Sequence, residues 1–185
     1  MIAILKKHRE QMSSFIRRDV PVRIKRGAGT AVARKGDDAS YTKCELPTYA
    51  TPAVKDMAVM LVFFNPAASL RIVQNLYMTK TLLENAGIPV YVGELAFERT
   101  PFVLADAPNV FHWRSDSYMF YKENIAMQME KRIPETYTKL MLLDADILFG
   151  APDWYARVST LLDTYEVVQP FNMAYNLNLE FYVTT

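Results

Sequence analysis

The run Met57-Ala-Val-Met-Leu-Val-Phe-Phe64 has no polar side chain and stops at Asn65-Pro66. A short continuous apolar segment closed by a turn signal predicts a strand buried on both faces, as in a parallel sheet covered by helices. It is far shorter than the roughly 20 residues a membrane helix needs, so no transmembrane segment is expected. Asn65 can cap a helix and Pro66 can occupy its first position. Leu70, Val73, Leu76 and Tyr77 then recur at helical spacing until Gly87, a natural stop.

The pattern continues. Ile88–Val92 predicts a second strand and Val110–Trp113 a third. Ser115 or Asp116 can cap a helix running to about Arg132, with Pro134 ending it. Lys139–Leu143 predicts a fourth strand, Trp154–Asp163 a helix, and Glu166–Pro170 a further strand. This alternation predicts an α/β fold, with a mostly parallel central sheet and helices on both faces. Ligands of such sheets sit at the carboxyl ends of the strands, so functional residues are sought there.

Charge divides the chain. Residues 1–55 hold twelve Lys/Arg against five Asp/Glu, whereas residues 56–185 hold nine against fifteen. The expectation is a basic N-terminal arm over 1–55, followed by a domain over 56–185. Residues 2–18 can form one helix with Ile4, Leu5, Met12 and Ile16 loosely on a face. Residues 27–52, rich in Gly, Ala, Thr, Ser and Pro, predict a linker. The arm reads foremost as a solvated extension, and the domain is expected to fold without residues 1–50. A weak contact with an anionic surface is its functional alternative, and no nucleic-acid partner is expected. Ile2–Leu5 gives way at once to Lys6, Lys7 and Arg9, which argues against a secretory signal and for the cytoplasm. A single cysteine, Cys44, and two histidines argue against an internal disulfide and against Cys-based or multi-His metal sites.

The strongest local signal is Leu140-Met-Leu-Leu-Asp144-Ala145-Asp146. If the strand continues, both carboxylates project to one side, roughly 6–7 Å apart at Cα. Two acids that close repel each other unless a cation neutralises them. Mn²⁺ or Mg²⁺ takes one or two carboxylates and completes its shell with water and phosphate oxygens, which suits a nucleotide diphosphate. The bland reading is a pair of acids at a strand-to-loop turn. Lys122 shares a helical face with Met119, Ala126 and Met129. It interrupts an apolar stripe, so its ammonium either snorkels to water or meets an anion. His112, beside Trp113 in an apolar strand, reads as a core histidine.

The segment from Arg132 to Phe149, with Tyr137, Lys139 and the strand ending in Asp144-Ala-Asp-Ile147, resembles the Asp-x-Asp region of GT-A fold glycosyltransferases. Phe64-Asn-Pro66, Ile88-Pro-Val-Tyr91 and the stretch from Arg114-Ser115 to Tyr121-Lys-Glu-Asn124 fall where those enzymes form the nucleotide pocket. The run Val59–Phe171 is most similar to small glycosyltransferases of large algal DNA viruses, for which the location would be the host cytoplasm. The resemblance covers about residues 57–175 and not the basic arm. It implies a Rossmann-like GT-A fold and transfer of a sugar, from a UDP-sugar by preference, to a glycan or glycoprotein acceptor. Phe64, Asn65 and Pro66 would hold base and ribose, with Glu94 after the second strand. Asp144 would face the ribose or a metal-bound water, with Ala145 beside it, and Asp146 would bind the Mn²⁺ or Mg²⁺. Metal ligands are thus expected at Asp144 and Asp146, and Arg114, Ser115 and Lys122 at the diphosphate. No catalytic base is assigned; neither Asp153 nor Glu180 gives a reason to be chosen.

Three alternatives stay open. A haloacid-dehalogenase-type phosphatase also uses Asp-x-Asp after a strand, but that motif normally opens its fold. A nucleotidyltransferase usually has a glycine-rich loop after the first strand, whereas Phe64–Ser69 has no glycine. A non-catalytic sugar-nucleotide-binding or scaffold domain acting through its basic arm is the third. Little chain follows Asp146 to build an acceptor site, so either a minimal domain or a fragment of a larger enzyme is expected.

Overall fold

The computed structural model describes residues 2–5, 46–172 and 174. The elements in chain order are β1 (Ile2–Leu5), β2 (Met57–Phe64), α1 (Leu70–Asn85), β3 (Val90–Phe97), β4 (Val110–Ser115), α2 (Lys122–Glu130), β5 (Lys139–Leu143), α3 (Trp154–Leu162) and β6 (Val167–Val168). They build a six-stranded sheet in the order β4-β3-β2-β5-β1-β6. The neighbours β4, β3, β2 and β5 are all parallel. β1 lies antiparallel between β5 and β6. The fold is therefore α/β with a mostly parallel sheet. Among the described residues no helix is long and apolar enough to cross a membrane.

β2 shows why its sequence must be apolar throughout. Successive strand residues point to opposite faces. Met57, Val59, Leu61 and Phe63 join one core with Leu76 and Leu83 of α1 and Trp154, Val158 and Leu162 of α3. Ala58, Met60 and Val62 join the other, with Ile125, Ala126 and Met129 of α2. Helices thus cover both faces. Gly93 of β3 lets α2 approach: a Cβ there would lie 2.6 Å from Met129 Sδ and 2.8 Å from Ile125 Cγ2.

The bounds of β2 and β5 match those expected from the apolar runs. β3 runs on to Phe97, five residues past the expected end, because Gly93–Leu95 pair on both sides with β2 and β4, and Ala96 and Phe97 continue the ladder with β4. Ladder pairing here overrides the weak strand preference of Gly and Glu. α1 starts at Leu70, so Pro66 is not its first residue. Asn65 instead folds the loop, its Nδ2 donating to Ser69 O and its Oδ1 accepting from Ser69 N, both at 2.9 Å. α2 starts at Lys122 rather than at 115–116. Ser115 does not cap it: its Oγ accepts from Ser117 N at 3.1 Å and contacts Tyr121 OH at 3.2 Å, holding a turn ahead of the helix.

The expected N-terminal arm needs correction where it is described. Ile2–Leu5 is a strand paired with β5 and β6, not the start of a helix over 2–18. The described residues 2–5, 47–172 and 174 belong to one compact unit, which therefore extends beyond the boundary expected at residue 56. Tyr49, expected in a linker, is buried edge-on against Trp154 at 5.9 Å, and its hydroxyl accepts from Phe149 N at 3.0 Å. Most of the basic stretch, residues 6–45, lies outside the described residues. β1 also changes the expectation that residues 1–50 are dispensable. Removing residues 1–7 should cost on the order of 2–6 kcal/mol, from about four ladder bonds at about 0.5–1.5 kcal/mol each. A denaturation midpoint equal to that of the full chain would show that β1 adds nothing.

At the amino end of β5, a buried lysine ties the sheet to α3. Lys139 Nζ donates to Asp56 Oδ2 at 2.6 Å and to Ser159 Oγ at 2.8 Å, and pairs with Asp163 at 2.6 Å. Ser159 donates in turn to Asp56 Oδ1 at 2.8 Å. Desolvation pushes the Asp56 carboxyl up, but the Lys139 and Ser159 hydrogen bonds and the Lys139 charge outweigh it and hold it below 3.8. Desolvation likewise pulls Lys139 down, while bonds and charges from Asp163 and Asp56 raise it above 10.5. A depressed carboxylate stabilises fully above its unfolded value and loses this as pH falls through the folded one. A raised lysine stabilises fully below its unfolded value and loses this as pH rises through the folded one. Melting temperature should therefore fall below pH 3.8 and above pH 10.5, and Lys139→Met should shrink both losses. Undiminished acid and alkaline losses in that variant would assign them to other groups.

Candidate functional site

The carboxyl ends of the parallel strands carry a cleft of about 230 Å³. The β2–α1 loop contributes Asn65, Pro66 and Ala68, the last at φ 50° in the left-handed region. The opposite wall is Thr100, Pro101 and Val103, with Phe97 and Tyr118 stacked 4.8 Å apart at 15°. Phe63 lines this cleft, whereas Phe64 turns its ring edge-on to Phe120 at 5.6 Å. Of the three residues expected at base and ribose, Asn65 and Pro66 line the cleft and Phe64 does not.

Glu94 lies in the cleft wall and is 2% exposed. Its Oε1 accepts from Val103 N at 2.6 Å and its Oε2 from Leu104 N at 2.9 Å. A buried carboxylate with two backbone donors is a strong anchor. It holds the 98–109 loop, which forms the far wall. His112 Nε2 lies 3.4 Å from Glu94 Oε2, within ion-pair range but out of line for a hydrogen bond. His112 Nδ1 meets Asp106 Oδ1 at 3.0 Å, and its ring stacks on Phe102 at 4.2 Å.

Arg114 belongs to the same anchor. Its Nη1 donates to the carbonyls of Glu98 at 2.6 Å and Thr100 at 2.8 Å, and its guanidinium lies 4.7 Å from the Phe102 ring centre. The structure thus places Arg114 on the loop backbone rather than at the cleft, and Ser115 at the end of β4 with its hydroxyl engaged by the turn before α2. Both were expected at a diphosphate; the carbonyl oxygens and the turn engage them instead.

The Asp-Ala-Asp motif follows β5, which ends opposite Leu61, three residues short of the end of β2. The strand does not continue through it. Ile147 N donates to Asp144 O at 3.3 Å, closing a turn, so the expected strand-like alternation of the two carboxylates gives way to turn geometry. Thr79 of α1 donates to Ala145 O at 3.0 Å and fixes that turn to the helix. Ala145 therefore contributes its carbonyl to the scaffold. Lys122, the first residue of α2, forms an ion pair with Asp144 Oδ1. Burial pulls the Lys122 ammonium below its ordinary value, against the charges of Glu123 and Asp146, which raise it. Asp146 is exposed.

Among the described residues no group of three or more His, Cys, Asp or Glu side chains is placed to hold a metal. An all-protein cage is thus not formed there. Two carboxylates in one solvent-accessible turn fit the other mode, in which Mn²⁺ or Mg²⁺ keeps water and phosphate ligands.

Comparison with protein-family models, with curated proteins and with solved structures finds no match.

Tyr118, Phe97 and Val103 are among the cleft residues that sequence reasoning passed over. Phe97 was hidden by ending β3 too early, and Tyr118 by assigning residues 116–121 to a helix. The Thr100-Pro101 turn signal marked the loop without saying where it folds. Glu94→Gln tests the anchor. One amide oxygen cannot replace two carboxylate oxygens, so the variant should lose about 1–3 kcal/mol of stability. Hydrogen exchange at the Val103 and Leu104 amides should accelerate; unchanged exchange would show that Glu94 does not hold the loop.

Proposed function

We propose that this chain is a metal-dependent GT-A-type glycosyltransferase that takes its sugar from a nucleotide-diphosphate sugar, UDP-sugar by preference. The observation that carries the reading is one juxtaposition. The cleft at the ends of β2 and β3 and the two aspartates after β5 lie at the same edge of one parallel sheet, on either side of β2. β3 and β5 are two inter-strand spacings apart, about 9–10 Å. That separation suits a base in the cleft with its diphosphate reaching across the end of β2. The cleft volume is below the 300–1,000 Å³ range typical of drug-sized ligands, which suits one ring system rather than a whole sugar nucleotide.

Asn65, Pro66, Val103 and Tyr118 would enclose the base, with Glu94 keeping the Val103 wall in place. Asp144 and Asp146 would hold the Mn²⁺ or Mg²⁺. A divalent cation there supplies positive charge to the departing nucleoside diphosphate. Lys122, half-buried beside the motif, adds a second cation. The cytoplasmic location and the glycan or glycoprotein acceptor belong to the same proposal, and no residue is assigned as catalytic base.

Calorimetry with UDP in Mn²⁺ tests the reading. Asp146→Asn should weaken binding at least tenfold, about 1.4 kcal/mol. Equal UDP affinity with Mn²⁺ and with EDTA would contradict the proposal.

A further inference from the structure

Lys122 and Asp144 lie 22 residues apart in sequence and meet at the site itself. The contact joins the first residue of α2 to the turn after β5. Their side chains are 21% and 38% exposed, so the pair is partly withdrawn from water. The position is unusual for a lysine. The first turn of a helix carries partial positive charge, which disfavours a cation there. No side chain caps this helix start, and Glu123 is the acid in its first turn. Carboxylates hold the ammonium in place: Asp144 by direct contact, Glu123 and Asp146 through their charge.

An ammonium and a divalent cation cannot both lie close against the same carboxylate without strong like-charge repulsion. Yet Asp144 is one of the two carboxylates that the proposed metal site requires. A diphosphate would give the ammonium another partner. Lysine suits such a transfer, because its charge is compact, its stem flexible and its three donors rotatable.

We propose that Lys122 is an exchangeable counter-ion, resting on Asp144 while no nucleotide is bound and passing to the diphosphate when nucleotide and metal enter together. This rests on the nucleotide-sugar reading above and adds to it a rule of regulation. Metal and nucleoside diphosphate each remove an obstacle to the other, so they bind cooperatively and metal alone binds weakly. Reciprocity of linked binding requires the coupling to be equal in both directions. A protein with a freely accessible Asp144 would keep only the coupling that direct metal–phosphate contact supplies, and would bind metal alone more tightly.

The test uses the full chain and two probes, Mn²⁺ alone and UDP in saturating Mn²⁺, each by calorimetry. Lys122→Met keeps the apolar stem and removes the charge. Lys122→Gln, neutral but polar, gives the same reading if the methionine disturbs the fold. Wild type should bind Mn²⁺ alone weakly, and the neutral variants should bind it about fivefold more tightly or better, the lower end of typical coupling. UDP affinity in Mn²⁺ should fall about tenfold in the same variants. Unchanged or weaker Mn²⁺ binding by the variants, with wild type still binding UDP in Mn²⁺, would overturn the exchange and leave the nucleotide reading standing. Failure of wild type to bind UDP at all in Mn²⁺ would overturn both.

Discussion

Every part of the site depends on β2 being paired on both edges and covered on both faces. Seven of its eight residues are buried, which only an apolar sequence tolerates. Its backbone hydrogen bonds go to β3 on one side and β5 on the other. Because all three strands run parallel, their carboxyl ends share one edge. The cleft forms where β2 and β3 end, and the aspartate turn forms where β5 ends. Neither could be moved to the opposite edge without reversing a strand and breaking the ladder.

Polar groups then fix the details. Glu94, buried within β3, uses both oxygens on successive amides of the 98–109 loop, and Arg114 grips two carbonyls of the same loop. Buried donors and acceptors must be satisfied, so this loop is built by side-chain partners rather than by its own secondary structure. Asn65 does the same for the β2–α1 loop through Ser69, and Thr79 for the aspartate turn through Ala145. At the other end of β5, Lys139 with Asp56, Ser159 and Asp163 locks the strand to α3. Its lysine meets Ser159 Oγ, but two carboxylates keep it charged, so it is a structural tie and not a base for that serine.

The sheet was legible because burial on two faces leaves a pattern that needs no partner to be recognised. Met57–Phe64 and Lys139–Leu143 announce themselves in this way. Asp144-Ala-Asp was legible for the same reason, as the first polar residues after such a strand. What the chain does at long range was not legible. Ile2–Leu5 is a four-residue strand whose partners lie over 130 residues away, and nothing local distinguishes it from the start of a helix. Glu94 and Arg114 were found as polar residues near strand ends, but an acid that will accept amides and an acid that will meet a ribose look alike in sequence. Lys122 was found as a break in an apolar stripe. The helix expected from Ser115 or Asp116 starts only at Lys122 itself, since Ser115 and Tyr121 hold the preceding residues in a turn. The partner it takes, Asp144, could be seen only in three dimensions.

The central claim is that the cleft and the aspartate turn bind one ligand together. Amide NMR of the full chain, titrated with UDP in the presence of Mn²⁺, tests it most directly, because a paramagnetic ion broadens only nearby signals. The account predicts broadening centred on Asp144–Ile147 and Lys122, with shift changes at Asn65–Ala68 and at Val103 and Leu104. Broadening centred elsewhere, or UDP-induced shifts that avoid the cleft, would contradict it.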